Sequence, residues 1–180
     1  LTTGKEEVVL GTKKGLAIRF SEKEVRSMGR TAKGVKGISL TEEDEVVGMD
    51  IIDDDKELLV ISDKGYGKRT SLDEYRVQKR AGKGIITLKE TSRNGELIDI
   101  KTVDNEEVVL ISQDGILLRT SAAEISKTGR NTQGVTVMRL DDDDQVVSVG
   151  YINQNKDMDS EEIEENEVNS EEKKQEESKE

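Results

Sequence analysis

Hydrophobic residues recur along this chain in short bursts, not in long alternations. Glu7-Val8-Val9-Leu10, Glu57-Leu58-Leu59-Val60 and Glu107-Val108-Val109-Leu110 open three such bursts, spaced by 50 residues. Short runs rich in Val, Ile and Leu and bounded by polar clusters read as strands. Because these runs are continuous, they predict strands covered on both faces. In the first unit, residues 7–12 and 15–20 are expected to form a hairpin through Lys13-Lys14-Gly15, with the glycine supplying the positive φ of the turn. A loop at 21–33 follows, in which Ser21 and Glu24 have the spacing of a capping box on a short helical turn. A third strand is expected near 34–40, a polar turn at 41–45 and a fourth strand at 46–52.

The same register runs through all three units. Gly15, Gly65 and Gly115 share one position, as do Arg19, Arg69 and Arg119, and Ser21, Ser71 and Ser121. Glu24, Glu74 and Glu124 align, then Arg30, Arg80 and Arg130, then Gly34, Gly84 and Gly134, with a one-residue slip near Gly95. A repeat of about 50 residues with four strands predicts an all-β, propeller-like stack in which each blade hides its faces against its neighbours. The expected divisions are about 1–54, 55–104 and 105–152, followed by an acidic tail at 153–180. Three blades do not close a ring, so the reading is a partial ring: either an open arc with exposed edges, or the last part of a longer domain whose other blades precede Leu1.

Charge sharpens this division. The formal net charge of −12 is uneven: the residues up to Ile152 sum to −4 and the remaining 28 to −8. With nine acids between Asp157 and Glu172 and few strand formers, the tail is expected to be disordered. It reads either as a solubilising segment or as a competitor for the basic surface in cis. Cysteine and histidine are absent, which excludes disulfides, Cys/His zinc sites, thiol nucleophiles and imidazole relays. Apolar runs fall far short of the ~20 residues that span a bilayer, and no secretory signal pattern is present.

Within the units the charges are segregated. Eight basic residues lie between Lys13 and Lys36 against Glu22 and Glu24, and seven between Lys64 and Lys83 against Asp73 and Glu74. Acids crowd the later turns and linkers instead. Stacked repeats would align the basic segments as a stripe suited to a bent duplex. The candidate phosphate contacts are Lys14, Arg19, Arg30, Lys33 and Lys36 in the first unit. Lys68, Arg69, Lys79, Arg80 and Lys83 follow in the second, and Arg119 and Arg130 in the third, where the stripe fades. The competing reading is an ordinary solvated surface in which strand arginines pair with nearby carboxylates. Asp53-Asp54-Asp55 and Asp141-Asp142-Asp143-Asp144 could be imagined as a metal-dependent hydrolytic site, yet they lack calcium-loop spacing. A propeller-type protein-interaction module would fit the repeats without using the basic segments.

Several strings carry a family resemblance. They are Ile18-Arg19-Phe20, Met28-Gly29-Arg30-Thr31-Ala32-Lys33-Gly34-Val35-Lys36-Gly37-Ile38, Lys64-Gly65-Tyr66-Gly67-Lys68-Arg69-Thr70 and Thr128-Gly129-Arg130-Asn131-Thr132-Gln133-Gly134-Val135. Together they resemble the C-terminal domain of DNA gyrase A in its Firmicutes-type form, over residues 1 to about 152. The resemblance implies a β-pinwheel, a propeller variant whose neighbouring blades exchange strands, of which this chain would hold about the last three. It implies duplex DNA wrapped along a basic rim, in support of ATP-dependent negative supercoiling by a type II topoisomerase in the bacterial cytoplasm. The implied partners are the remainder of gyrase A together with gyrase B in a heterotetramer. ATP, magnesium and the DNA-breaking tyrosine are implied to lie elsewhere in that assembly, with no cofactor in this chain; Tyr66, Tyr75 and Tyr151 are expected to be packing residues. Gln78-Lys79-Arg80-Ala81-Gly82-Lys83-Gly84 is similar to the family's signature box, with Ala81 in place of a glycine. Its place in a middle blade marks it as an echo of that box, so the corresponding C-terminal domain of topoisomerase IV stands as the alternative.

Overall fold

The computed structural model describes residues 2–152; the expectations for the acidic tail lie outside them. Eleven strands and three 3₁₀ turns alternate along the described chain. In the first unit these are β1 (Glu7–Thr12), β2 (Leu16–Ser21), a turn at Glu22–Glu24, and β3 (Val46–Ile51). The second unit contains β4 (Glu57–Ser62), β5 (Tyr66–Ser71), a turn at Leu72–Glu74, β6 (Ile85–Ile86) and β7 (Leu97–Val103). The third has β8 (Glu107–Ser112), β9 (Leu117–Ser121), a turn at Ala122–Glu124, β10 (Val135–Thr136) and β11 (Val146–Ile152).

The units do not close on themselves. The first sheet runs β3-β1-β2-β6, the second β10-β5-β4-β7 and the third β11-β8-β9. Thus β6, which belongs to the second unit, pairs antiparallel with β2 of the first through Leu16↔Ile86 and Ala17↔Ile85. In the same way β10 of the third unit pairs with β5 of the second through Tyr66↔Thr136 and Gly67↔Val135. Both blade junctions are therefore sealed by a strand handed back to the preceding blade. The expected third strand at 34–40 is accordingly not a strand in the first unit: among the described residues no preceding blade pairs with it. The third sheet has three strands for the reciprocal reason.

Burial on both faces explains the continuous apolar runs. Leu58 and Val60 of β4 pack with Val9, Ala17, Tyr75, Leu88 and Ile100 in the layer between the first and second sheets. Their alternates Leu59 and Ile61 pack with Val108, Leu110, Ile125 and Met138 in the layer between the second and third. One strand thus serves two cores, each buried side chain contributing roughly 2 kcal/mol. A smaller cluster of Leu10, Ile18, Phe20 and Ile38 covers the far face of the first sheet.

The repeated Ser-x-x-Glu pairs depart from a capping box. The Ser21 and Ser121 hydroxyls accept from the Lys23 and Ala123 amides, and Glu124 accepts from the Thr120 hydroxyl of its own strand at 2.9 Å, but Glu24 and Glu74 reach outward. Glu24 accepts from the Arg80 backbone N–H at 2.8 Å and Glu74 from that of Arg130 at 2.7 Å. Each of these two glutamates clasps the loop of the next unit, so the sequence spacing is local while its purpose is inter-blade.

Candidate nucleic-acid interface

Twelve cations are candidates for phosphate contact, and the fold divides them sharply. Arg19, Arg69 and Arg119 are cross-strand clamps first. Arg19 Nε donates to Glu7 at 2.5 Å and its Nη2 to Asp54 at 2.8 Å. Arg69 donates to Glu57 at 2.7 Å and to the carbonyls of Ile125 and Ala123, each at 2.8 Å, in the next unit. Arg119 pairs with Glu107. Its side chain is 59% exposed, against 11% for Arg19 and 17% for Arg69, because no following loop among the described residues covers it.

Arg80 and Arg130 are likewise occupied. Arg80 donates to the carbonyls of Glu24 and Lys36, and Arg130 to that of Ile86. A guanidinium satisfied by carbonyls across a junction is a strut, and its role here is to fix the loop that carries the neighbouring lysines.

Lys68 corrects the sequence expectation outright. It is fully buried, and its ammonium donates to Gly129 O at 2.7 Å, Arg130 O at 2.5 Å and Thr132 Oγ1 at 3.1 Å. It therefore pins the third unit's loop from inside and cannot reach a phosphate. A signal was available: Ile18 and Leu118 hold the equivalent position in the other units. Burial, with Arg130 nearby, pulls the Lys68 pKa from 10.5 down to about 8, opposed by Glu74. The unfolded chain thus holds this proton longer than the folded one, and stability rises as pH climbs from about 8 towards 10.5, by up to about 3 kcal/mol. Urea midpoints between pH 7 and 10 should show that rise in the natural chain and lack it in Lys68→Met.

The remaining candidates face solvent. Arg30, Lys33, Lys36, Lys79 and Lys83 are exposed, and Lys14 is half-buried beside Glu43, with Nζ and carboxylate 3.9 Å apart. Strand exchange places several of them together. The loop of the second unit runs along the first unit's 36–39 segment, with Ala81 N–H donating to Gly37 O at 2.6 Å and Ser39 N–H to Gly82 O at 2.8 Å. Lys36 of one unit and Lys79 and Lys83 of the next therefore sit on the two sides of one seam. Ala81 lies in the left-handed region at φ 64°, the conformation that favours glycine at this place in the box.

Comparing the units shows a feature the sequence reading missed. Where the outer units carry Glu42-Glu43-Asp44 and Asp142-Asp143-Asp144, the middle one carries Ser92-Arg93-Asn94. Arg93 lies over the Tyr66 ring at 5.7 Å and donates to its hydroxyl at 2.8 Å, so Tyr66 is more than a packing residue. Lys64, Tyr66, Arg93 and Arg139 line one open cavity of about 480 Å³, together with the acids Asp141, Asp142 and Asp144. Tyr75 and Tyr151 are the packing residues expected: burial pushes the Tyr75 phenol up to about 12, and Tyr151 donates to Asp99 at 2.6 Å.

The acidic runs have structural duties. Asp44 accepts from the Lys14 backbone N–H and Asp144 from that of Asp114, tying each turn to its hairpin. Among the described residues no group of three or more acids gathers to hold a metal ion, and no helix is long and apolar enough to cross a membrane.

Known proteins match this architecture. A family profile described as "DNA gyrase C-terminal domain, beta-propeller" matches three times, over residues 6–53, 56–104 and 106–153. The chain is similar to the DNA gyrase A protein of Staphylococcus epidermidis, 52% identical over 65 residues, or 35% of this chain and 7% of that protein. Among solved structures it resembles a DNA gyrase A C-terminal domain at 32% identity and TM-score 0.77, covering 83% of this chain and 51% of the other. It also resembles a topoisomerase IV C-terminal domain at 28% identity and TM-score 0.79, covering 84% and 48%. The chain thus spans about half the length of these solved domains and a small part of the curated relative.

Proposed function

The chain belongs to the DNA gyrase C-terminal domain family, and we propose that it is a DNA-binding and DNA-wrapping part of gyrase A. The observation that carries this reading is the seam of exposed lysines at the junction of the first two blades, Lys36 on one side and Lys79 and Lys83 on the other, held by backbone bonds and by the half-buried strut Arg80. Lysines on a rigid curved scaffold neutralise phosphates without reading bases. Preference among sequences then follows how easily the duplex bends. No recognition helix is present among the described residues, whose only helical segments are three 3₁₀ turns.

On this reading the chain works within an assembly with the rest of gyrase A and with gyrase B, in the bacterial cytoplasm. There the wrap presents a neighbouring DNA segment for strand passage, and ATP hydrolysis elsewhere drives negative supercoiling. The staphylococcal gyrase A match favours gyrase over topoisomerase IV.

Sealing a nicked circular plasmid in the presence of the chain tests the wrap. A right-handed wrap leaves the sealed circles positively supercoiled after protein removal, in proportion to the protein added, and the effect disappears at high salt. Circles sealed with unchanged linking number, under conditions where mobility shift shows binding, would reject wrapping. Salt-insensitive association with a protein instead would favour an interaction module.

A further inference from the structure

The middle blade, which has a neighbour on each side, departs from the charge pattern of both. We infer that Arg93, held over Tyr66, is a second anchor for the phosphate backbone, and that it draws the duplex from the lysine seam across the middle blade towards the hairpin turn at Lys64. The inference rests on the proposed DNA reading and adds a direction to the path.

The seam itself does not repeat. Arg80 donates to Lys36 O and Arg130 to Ile86 O, while Glu24 and Glu74 receive the N–H groups of Arg80 and Arg130, so the two junctions match residue for residue. On that register Ile86, Gly129 and Gln133 take the places of Lys36, Lys79 and Lys83. Lys127, exposed nearby, is paired with Glu57 at 2.5 Å. A duplex held by the first seam therefore meets few free cations at the same place one blade later.

Cations continue in another direction. From Lys79 to Arg93 the chain carries Lys79, Arg80, Lys83, Lys89 and Arg93 against one acid, Glu90, whereas the matching stretches of the other units end in acids. Beyond Lys83 this stretch pairs as β6 with β2. It then bonds to Gly15 O through Thr87 and Leu88, and to Thr132 O of the third unit through the Lys89 N–H. It thus crosses from the first junction to the second, with Lys89 and Arg93 exposed.

The turn that presents Arg93 is firmly built. It is one residue longer than its counterparts. Asn94 is buried inside it, accepting from the Thr91 N–H and hydroxyl at 2.7 Å each and donating to Lys89 O and to Gln133 O of the third unit at 3.1 Å each. Gly95, at φ +70°, packs against the Asp63 carboxylate where a Cβ would collide. Lys64 Nζ donates to Ser92 O at 2.6 Å. Arg93 Nε is committed to the Tyr66 hydroxyl, and neither of its Nη groups is bonded among the described residues. A guanidinium fixed at one N–H, with its outer pair free, suits a phosphate.

Acids mark the far border. Asp141, Asp142 and Asp144 share the cavity with Lys64, Arg93 and Arg139, yet among the described residues no ion pair joins the two sets. Asp144 is occupied by the Asp114 and Gln145 N–H groups. Asp141 and Asp142 are exposed and repel a polyanion that would run on over the third unit's turn. Phosphate contacts of this kind set orientation on the duplex without reading bases.

Because the chain has no cysteine, a tethered cleavage reagent can report the path. Iron-EDTA is attached to Ser92→Cys, beside Arg93, to Lys79→Cys on the seam, and to Asn105→Cys as an exposed control. Each is bound to a duplex of about a hundred base pairs. Cleavage from Ser92→Cys should match that from Lys79→Cys and exceed the control. Cleavage from Lys79→Cys alone would overturn the second anchor and leave the DNA reading standing; control-level cleavage from both, with binding shown by mobility shift, would reject the seam and the anchor together. In the untethered chain, Arg93→Gln should lower affinity up to about eightfold at 0.1 M salt and flatten the salt slope by up to ~0.9. An unchanged slope would also overturn the anchor.

Discussion

Replacing Lys33, Lys36, Lys79 and Lys83 together with glutamine is expected to lower affinity for duplex DNA by up to roughly three orders of magnitude at 0.1 M salt. Each phosphate contact releases about 0.9 of a condensed counterion, so losing four flattens the slope of log affinity against log salt by up to ~3.6. All four side chains are exposed, and none is a strut, so the folded structure should be unchanged. The loss should be uniform across DNA sequences, because phosphate contacts carry no base information. Fluorescence anisotropy with a duplex of about a hundred base pairs, titrated at several salt concentrations, decides it. An unchanged slope would place the seam off the DNA path. Arg80 is left out deliberately: its bonds to Glu24 O and Lys36 O mean that its loss would release the loop and confuse binding with folding.

Gly65→Ala is expected to cost about 4 kcal/mol of stability. Gly65 sits at φ +72°, where a side chain costs about 1–2 kcal/mol. The new Cβ would also collide with the Met138 carbonyl oxygen, which belongs to main chain and has little room to yield. Relieving that collision sacrifices the bonds from the Val137 and Met138 N–H groups to Gly65 O, each worth about 1 kcal/mol net. The β5–β10 pairing is weakened with them. Gly115→Ala is the internal control: φ is +86° but nothing among the described residues lies within 4 Å of the added Cβ, so only the backbone cost of about 1–2 kcal/mol remains. Urea unfolding of both variants separates the two contributions, and equal losses would mean that the junction at Gly65 is looser than its geometry.

Much of this molecule was legible without coordinates, and for a common reason. The hairpin through Lys13-Lys14-Gly15, the positive φ of its glycine and the doubly buried run at Leu58–Ile61 all depend on residues within a few positions of one another. A three-fold register makes such local signals additive, which is why the all-β repeat and its family were readable. The acidic turns were visible too, but their neutral interruption at Ser92-Arg93-Asn94 emerges only when one unit is set against the others.

What the sequence by itself determined, then, was the repeat, its strands, its turn chemistry and the family they mark. Tertiary structure alone decided which cations are free. Lys68 and Lys79 are both lysines in a basic segment, yet one ends among three oxygen acceptors of the next unit and the other ends in water. Arg80 looks like a rim residue and acts as a strut. The difference arises because each unit hands a short strand to the blade before it, so the partners of a side chain lie about fifty residues away. Burial and hydrogen-bond satisfaction are properties of that meeting, and no window of local sequence contains both sides of it.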